Sequence, residues 1–198
     1  MDIENQHNQL IWENFKAGNK EAFAQLYNQH VQMLFRYGTK ICPCDDLVKD
    51  AIQEVFLDLF IKRNRNNTNP ENLKYYLFLA LKRNLIKKLQ RDRKLVEEQI
   101  DFELIFKPEY SAESILIEEE EEQEMKIKIS KALRQLPARQ KEALYLRFNE
   151  SLDYTEVAKL LKISVESARK QVYRALKTLR EDINVNTFVF MLFVKNEV

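Results

Sequence analysis

The sequence predicts an all-α protein with two small helical domains, an acidic linker between them, and a helix-turn-helix in the C-terminal domain. The 198 residues include only two Gly and four Pro, while 45% are hydrophobic and 32% are charged. So few helix breakers favour helices throughout, and the apolar content is sufficient for buried cores. The arrangement of the charges along the chain supports the division into domains.

Charged residues are segregated although the formal net charge is only +1. Residues 62–94 carry eleven Lys and Arg against two acidic residues, a net charge of +9. Residues 97–124 carry twelve acidic residues against one Lys, a net charge of −11, and residues 126–181 have a net charge of +8. Two basic blocks are typical of a protein that binds a polyanion. We therefore expect domains at residues 9–95 and 125–182, an acidic linker at 96–124, and an apolar tail at 183–198.

The first domain contains a strongly patterned helix, "DDLVKDAIQEVFLDLFIKR", at residues 45–63. Its apolar residues recur at helical spacing, which predicts a buried stripe, and Asp45 and Asp46 suit the positive end of the helix dipole. The following "NRNNTNPEN" breaks the pattern, with Asn69 as the expected N-cap before Pro70. The next helix mixes aromatic and basic residues and is expected to run from Glu71 to about Lys94.

The second domain contains two amphipathic stretches that meet at a short corner, "DYTEVAKLLKISVESARKQVYRALKTLR", at residues 153–180. Asp153 and Glu156 have the spacing of a capping box, and Ser164 is placed to cap the second helix. The apolar stripe of that second helix leaves a basic face outward. A bent helix pair with one basic face fits the major groove of DNA, whereas charge alone would equally suit a solvated helical hairpin.

Other features indicate no reaction chemistry. Cys42 and Cys44 do not have the spacing of a two-pair zinc site, so we expect buried reduced thiols, no metal and no cofactor. No Gly-rich phosphate loop or nucleophile motif is present, which predicts that the protein is not an enzyme. No signal peptide or apolar run of about 20 residues is found, so we expect a cytoplasmic protein without membrane insertion.

The C-terminal segment "LRQLPARQKEALYLRFNESLDYTEVAKLLKISVESARKQVYRALKTLRE" resembles the promoter-binding domain of bacterial sigma factors of the sigma-70 family. "AFAQLYNQHVQMLFRYGTKI" and "DAIQEVFLDLF" are similar to the N-terminal sigma domain, in the order that the family has. The two-domain form resembles the extracytoplasmic-function group. The resemblance implies a factor that binds core RNA polymerase, directs it to promoter DNA and lacks enzymatic activity. Whether an anti-sigma factor holds it inactive is left open.

The resemblance also implies three sets of site residues. The first would dock on the polymerase, the second would recognise the −10 promoter element, and the third would lie in the DNA groove at the −35 element. The polymerase set is Asp50, Gln53, Glu54, Leu57, Asp58 and Ile61. The −10 set is Tyr75, Tyr76, Lys82, Arg83, Lys87 and Arg91. The −35 set is Ser164, Glu166, Ser167, Arg169, Lys170, Tyr173, Arg174 and Lys177.

Two positions depart from the family pattern. Many relatives have a basic-Asn-basic order where this chain has Lys82, Arg83 and Asn84. The residues that contact bases could therefore be shifted by one position along the helix. Lys162 stands at the corner where the family often has Gly, and because a left-handed backbone is costly for Lys, we expect the turn to differ slightly from that of the family.

Three functions are compatible with the residues: a two-domain alternative sigma factor, a helix-turn-helix regulator that acts without being a polymerase subunit, and a helical adaptor that does not bind DNA. Promoter-dependent initiation by core polymerase separates the first from the second. Salt-dependent DNA binding separates the third from both.

Overall fold

A computed structural model describes residues 2–64, 73–93, 106 and 130–182, and it confirms the all-α fold with a C-terminal helix-turn-helix. The chain forms two compact units, Met1–Ile100 and Asp101–Val198. No helix within the described ranges has the length and apolar character that crossing a membrane requires. The helices of the first unit are α1 (Asp2–Lys16), α2 (Lys20–Ile41), α3 (Asp45–Ile61) and α4 (Leu73–Arg93). Those of the second are α5 (130–135), α6 (Ala138–Leu144), α7 (Tyr154–Leu161) and α8 (Val165–Asp182).

In the first unit, α2 packs against α1, α3 and α4, and α3 packs against α4. Asn19 caps α2 by accepting a hydrogen bond from the backbone N–H of Ala22 at 2.9 Å. The predicted stripe of α3 is confirmed, with Leu47 and Phe60 half-buried at its two ends. The buried residues of that stripe are Val48, Ala51, Ile52, Val55, Phe56 and Leu59.

Gly38 allows α2 and α3 to approach closely. A Cβ atom at this buried position would lie 2.5 Å from Cγ1 of Val48 on α3 and 3.6 Å from Cδ2 of Leu81 on α4. Contacts as short as 2.5 Å do not occur between carbon atoms, so only Gly fits without rearrangement. Gly38 therefore determines how closely α2 approaches α3, the helix that carries the predicted polymerase residues.

In the second unit, α8 packs against α6 and α7. A π-helical turn, Tyr145–Asn149, continues α6, and the chain then passes through Ser151 at φ 55° before α7 begins. Phe106 lies in the predicted linker, yet its side chain is buried and its ring centroid is 5.6 Å from that of Tyr145. Phe106 thus contributes to the core of the second unit.

Several sequence predictions fall outside the described residues. These are the Asn69–Pro70 helix start, the remainder of the linker at 96–124, and the tail at 183–198. One prediction is wrong in part: Cys42 is buried, but Cys44 is exposed. Cys44 is exposed because it occupies the N-cap position of α3, between two helices, where its side chain reaches no core.

Candidate protein and nucleic-acid interfaces

All six residues predicted to bind the polymerase are exposed on the outer face of α3. Leu57 is 58% exposed and Ile61 is 65% exposed, although both are large apolar residues. They lie four residues apart, so they are neighbours on the helix surface with carboxylates beside them. An apolar strip with a polar border is the composition of a protein interface.

Glu54 on this face is also bound to α4. Its Oε2 accepts a hydrogen bond from Nδ2 of Asn84 at 2.7 Å, and its Oε1 accepts one from Nζ of Lys88 at 2.6 Å. The hydrogen bond from Lys88, followed by that from Asn84, holds the pKa of Glu54 below its ordinary value of 4.5. Asp58 is likewise paired, with Lys62. Glu54 therefore ties α3 to α4, a role that the sequence did not indicate.

The lowered pKa of Glu54 predicts an acid-dependent contribution to stability. A depressed carboxyl pKa stabilises the fold above the unfolded value and loses that effect as pH falls through the folded value. We expect Glu54→Gln to be less stable than the parent at neutral pH, with the difference shrinking below about pH 4.5. Trp12 is the single tryptophan and is buried in the first unit, so its fluorescence reports thermal unfolding there. A difference that stays constant from pH 7 to pH 3 would contradict the role of this carboxylate.

The outer faces of α3 and α4 enclose a groove of about 630 Å³. Leu57 and Ile61 line one side, and Tyr76, Arg83 and Lys87 line the other. The structure thus brings part of the predicted −10 set beside the predicted polymerase set. Tyr75, Tyr76 and Lys82 are half-buried, and Arg83, Lys87 and Arg91 are exposed.

Both helices of the helix-turn-helix have the predicted caps at their N-termini. The side chain of Asp153 accepts a hydrogen bond from the N–H of Glu156 at 2.8 Å, and the carboxylate of Glu156 accepts one from the N–H of Asp153 at 2.8 Å. Ser164 accepts a hydrogen bond from the N–H of Ser167 at 3.1 Å. Lys162 ends α7 in the left-handed conformation, at φ 54° and ψ 44°, so the backbone has the conformation that Gly favours at the end of a helix.

The outward face of α8 is the predicted −35 face. The apolar stripe of α8 is buried, except that Leu176 is half-buried. Lys170 pairs with Glu166 at 2.6 Å and Lys177 with Glu181 at 3.8 Å. Such exposed pairs are weak, so a phosphate can replace the carboxylate as partner. The −35 residues that are exposed are Ser164, Glu166, Arg169, Lys170, Tyr173, Arg174 and Lys177, and Ser167 is half-buried.

Arg169 lies over the ring of Tyr154, with its Cζ 5.4 Å from the ring centroid. Arg147 approaches the same ring, with its Cζ at 5.1 Å. The apolar spacing of α7 predicts that Tyr154 belongs to its buried face, but the residue is half-buried because it is the first residue of the helix.

Family models match both halves of the chain. The family model described as "Sigma-70 region 2" matches residues 26–95, and the one described as "Sigma-70, region 4" matches residues 126–179. The RNA polymerase sigma factor SigV of Bacillus subtilis (strain 168) is 27% identical over 168 residues, which cover 83% of this chain and 93% of SigV.

Two solved structures share the fold. One is CnrH in complex with the cytosolic domain of CnrY, with a TM-score of 0.55 and 16% identity over 88% of this chain and 95% of CnrH. The other is the sigma factor RpoE in complex with the anti-sigma factor NepR from Bartonella quintana. It has a TM-score of 0.53 and 20% identity over 82% of this chain and 97% of RpoE.

Proposed function

This chain belongs to the extracytoplasmic-function group of the sigma-70 family, and we propose that three surfaces divide the work of a sigma factor within it. It binds core RNA polymerase and directs promoter-specific transcription initiation, and the family has no enzymatic activity. The matches to both sigma regions, in the order that the family has, favour a sigma factor over a regulator or an adaptor. Residues 9–95 would serve the polymerase and the −10 element, and residues 125–182 the −35 element.

The outer face of α3 is proposed as the polymerase surface. Two exposed apolar side chains, Leu57 and Ile61, supply desolvation, and Asp50, Gln53 and Asp58 supply polar contacts around them. Glu54 belongs to the same face but acts from within the unit by holding α4. Its two hydrogen bonds keep the −10 residues of α4 in a fixed register beside the docked polymerase.

The exposed side of α4 is proposed as the −10 surface. Arg83, Lys87 and Arg91 recur at helical spacing and are exposed, which suits contacts with successive phosphates. Tyr76 lines the groove, where its ring is placed to stack on an unpaired base. Tyr75 and Lys82 complete the set that the resemblance implies.

Run-off transcription is the direct test of the function. The full chain added to core polymerase should give discrete transcripts from a subset of genomic promoters, and core polymerase alone should not. A regulator of the helix-turn-helix class would instead bind DNA without core enzyme and give no initiation. Binding of DNA without any promoter-dependent transcript would reject the sigma-factor assignment.

The outward face of α8 should divide between base and phosphate contacts. Arg169 lies in the first two turns, where a helix in the major groove meets base edges, and Lys177 lies further along. Arg169→Ala should cost about 1–3 kcal/mol and relax preference at one −35 position. Lys177→Ala should weaken all sequences similarly and lower the salt slope by about one.

Holoenzyme binding to single-base variants of a −35 site, at two salt concentrations, tests both substitutions. Lys177→Ala is the matched control, because it removes the same charge from the same helix. If Arg169→Ala lowers affinity uniformly with the base preference intact, Arg169 contacts phosphate and α8 is rotated in the groove relative to this proposal.

An anti-sigma factor is proposed as a further partner. RpoE was solved with the anti-sigma factor NepR, and CnrH with the cytosolic domain of CnrY, and both share this fold. A protein that purifies with the chain should suppress run-off transcription when it is added to the chain before core enzyme. A co-purifying protein that leaves the transcript yield unchanged would not be this partner.

A further inference from the structure

Two arginine guanidinium groups lie over the ring of Tyr154. The Cζ atoms of Arg147 and Arg169 lie 5.1 Å and 5.4 Å from its ring centroid, both within the range of a cation–π contact. The three residues come from three elements: the π-helical turn, the start of α7 and the second turn of α8. They connect the interior of the second unit to the outward face of α8.

The inner end of this stack is fixed. Arg147 is half-buried, and its Nη1 donates a hydrogen bond to the backbone carbonyl of Leu152 at 3.0 Å. Tyr154 is the first residue of α7 and lies within the capping box that Asp153 forms with Glu156. The backbone of Tyr154 is therefore held by a capped helix start, and its ring is in contact with an anchored arginine.

The outer end of the stack is exposed. Arg169 lies at the surface, so its contact with Tyr154 adds little to the stability of the fold. Its consequence is orientation, because a guanidinium that is held over an aromatic ring keeps N–H donors available for other acceptors. A free arginine must lose its rotamer freedom when it binds a base, whereas a stacked one has already lost part of it.

We propose that Tyr154 is a positioning residue that presets the guanidinium of Arg169 for base recognition at the −35 element. This inference rests on the proposed contact between Arg169 and a base. Tyr154 acts through its ring and makes no base contact of its own. Arg147 contacts the same ring and helps to hold it in place.

The experiment uses the full chain with core polymerase and a duplex library randomised over the −35 positions. Tyr154→Phe keeps the ring and removes the hydroxyl, and Tyr154→Leu removes the ring. Tyr154→Leu should lower discrimination at the position that Arg169→Ala relaxes, by about two- to fivefold, the range that an exposed cation–π contact supplies. Tyr154→Phe should match the parent. In the Arg169→Ala background, Tyr154→Leu should have no further effect.

A second measurement on the free chain does not depend on DNA. The Nε–Hε resonance of Arg169 should be shifted by the ring current in the parent and in Tyr154→Phe, and should lose that shift in Tyr154→Leu. If Tyr154→Leu loses helical content, relaxation of the Arg169 Nε–Hε group in the parent decides. An order parameter above about 0.6 supports a restrained side chain, and a value below this threshold overturns the proposal.

The outcomes separate the inference from the function on which it rests. A base preference that survives Arg169→Ala overturns both the −35 contact and the positioning role. A preference that depends on Arg169 but is unchanged in Tyr154→Leu overturns the positioning role alone. Lower base discrimination in Tyr154→Phe means that Tyr154 contacts DNA directly, and this overturns the positioning role. The same conclusion follows if Tyr154→Leu lowers discrimination equally with and without Arg169.

Discussion

Replacing Leu57 and Ile61 together by Asp is expected to reduce binding to core RNA polymerase at least about thirtyfold. Truncation of one hot-spot residue at the centre of an interface costs about 2 kcal/mol or more, which corresponds to about thirtyfold. Both side chains are more than half exposed, so the change removes no core packing. The added carboxylates also place charge where the interface would exclude water, which is costly.

The measurement is competition of the variant with the parent chain for a limiting amount of core enzyme, followed by run-off transcription. Leu10→Asp is a matched control, because Leu10 is 57% exposed on α1 and lies outside the proposed surface. The control should compete as the parent does. Equal competition by the Leu57→Asp/Ile61→Asp variant would show that the polymerase docks elsewhere.

Gly38→Val is expected to destabilise the first unit by about 3 kcal/mol, a large part of the 5–15 kcal/mol that holds a typical domain folded. A Cβ alone would lie 2.5 Å from Cγ1 of Val48. Val48 cannot move aside easily, because a β-branched side chain in a helix has one strongly preferred rotamer. Gly38→Ala should cost less, since Ala improves helix propensity by about 1 kcal/mol while overpacking costs about 1–3 kcal/mol.

Fluorescence of Trp12 during denaturant unfolding measures both variants. The double variant Gly38→Ala/Val48→Ala provides the control, because removing the Cγ atoms of Val48 removes the contact itself. The cost of Gly38→Ala should therefore become smaller in the Val48→Ala background. Additive effects of the two substitutions would mean that the 2.5 Å contact does not limit the packing of α2 on α3.

Local features of the fold could be predicted from the sequence because their partners lie within one helical turn. The capping box joins Asp153 to Glu156, and Ser164 caps a residue three positions away. The buried stripe of α3 follows from spacing alone.

The missed features join residues that are distant in sequence. Glu54 and Lys88 are 34 residues apart, and no periodicity within α3 or α4 points from one to the other. Gly38 was counted as a rare helix breaker, yet its importance comes from the crossing of α2 and α3. Phe106 lies in a strongly acidic stretch, and the composition of that stretch indicated a linker. Its ring packs against the ring of Tyr145, which is 39 residues away in the sequence.

The π-helical turn at Tyr145–Asn149 makes this segment sensitive to a change in length as well as to a change in residue type. A π-helical turn contains one residue more than the same stretch of α-helix, so it corresponds to a one-residue insertion. Deleting one residue would restore the α-helix and rotate the chain that follows by about 100°. A deletion of this kind before Arg147 would turn its side chain away from Tyr154. Selection should therefore remove single-codon deletions from this turn.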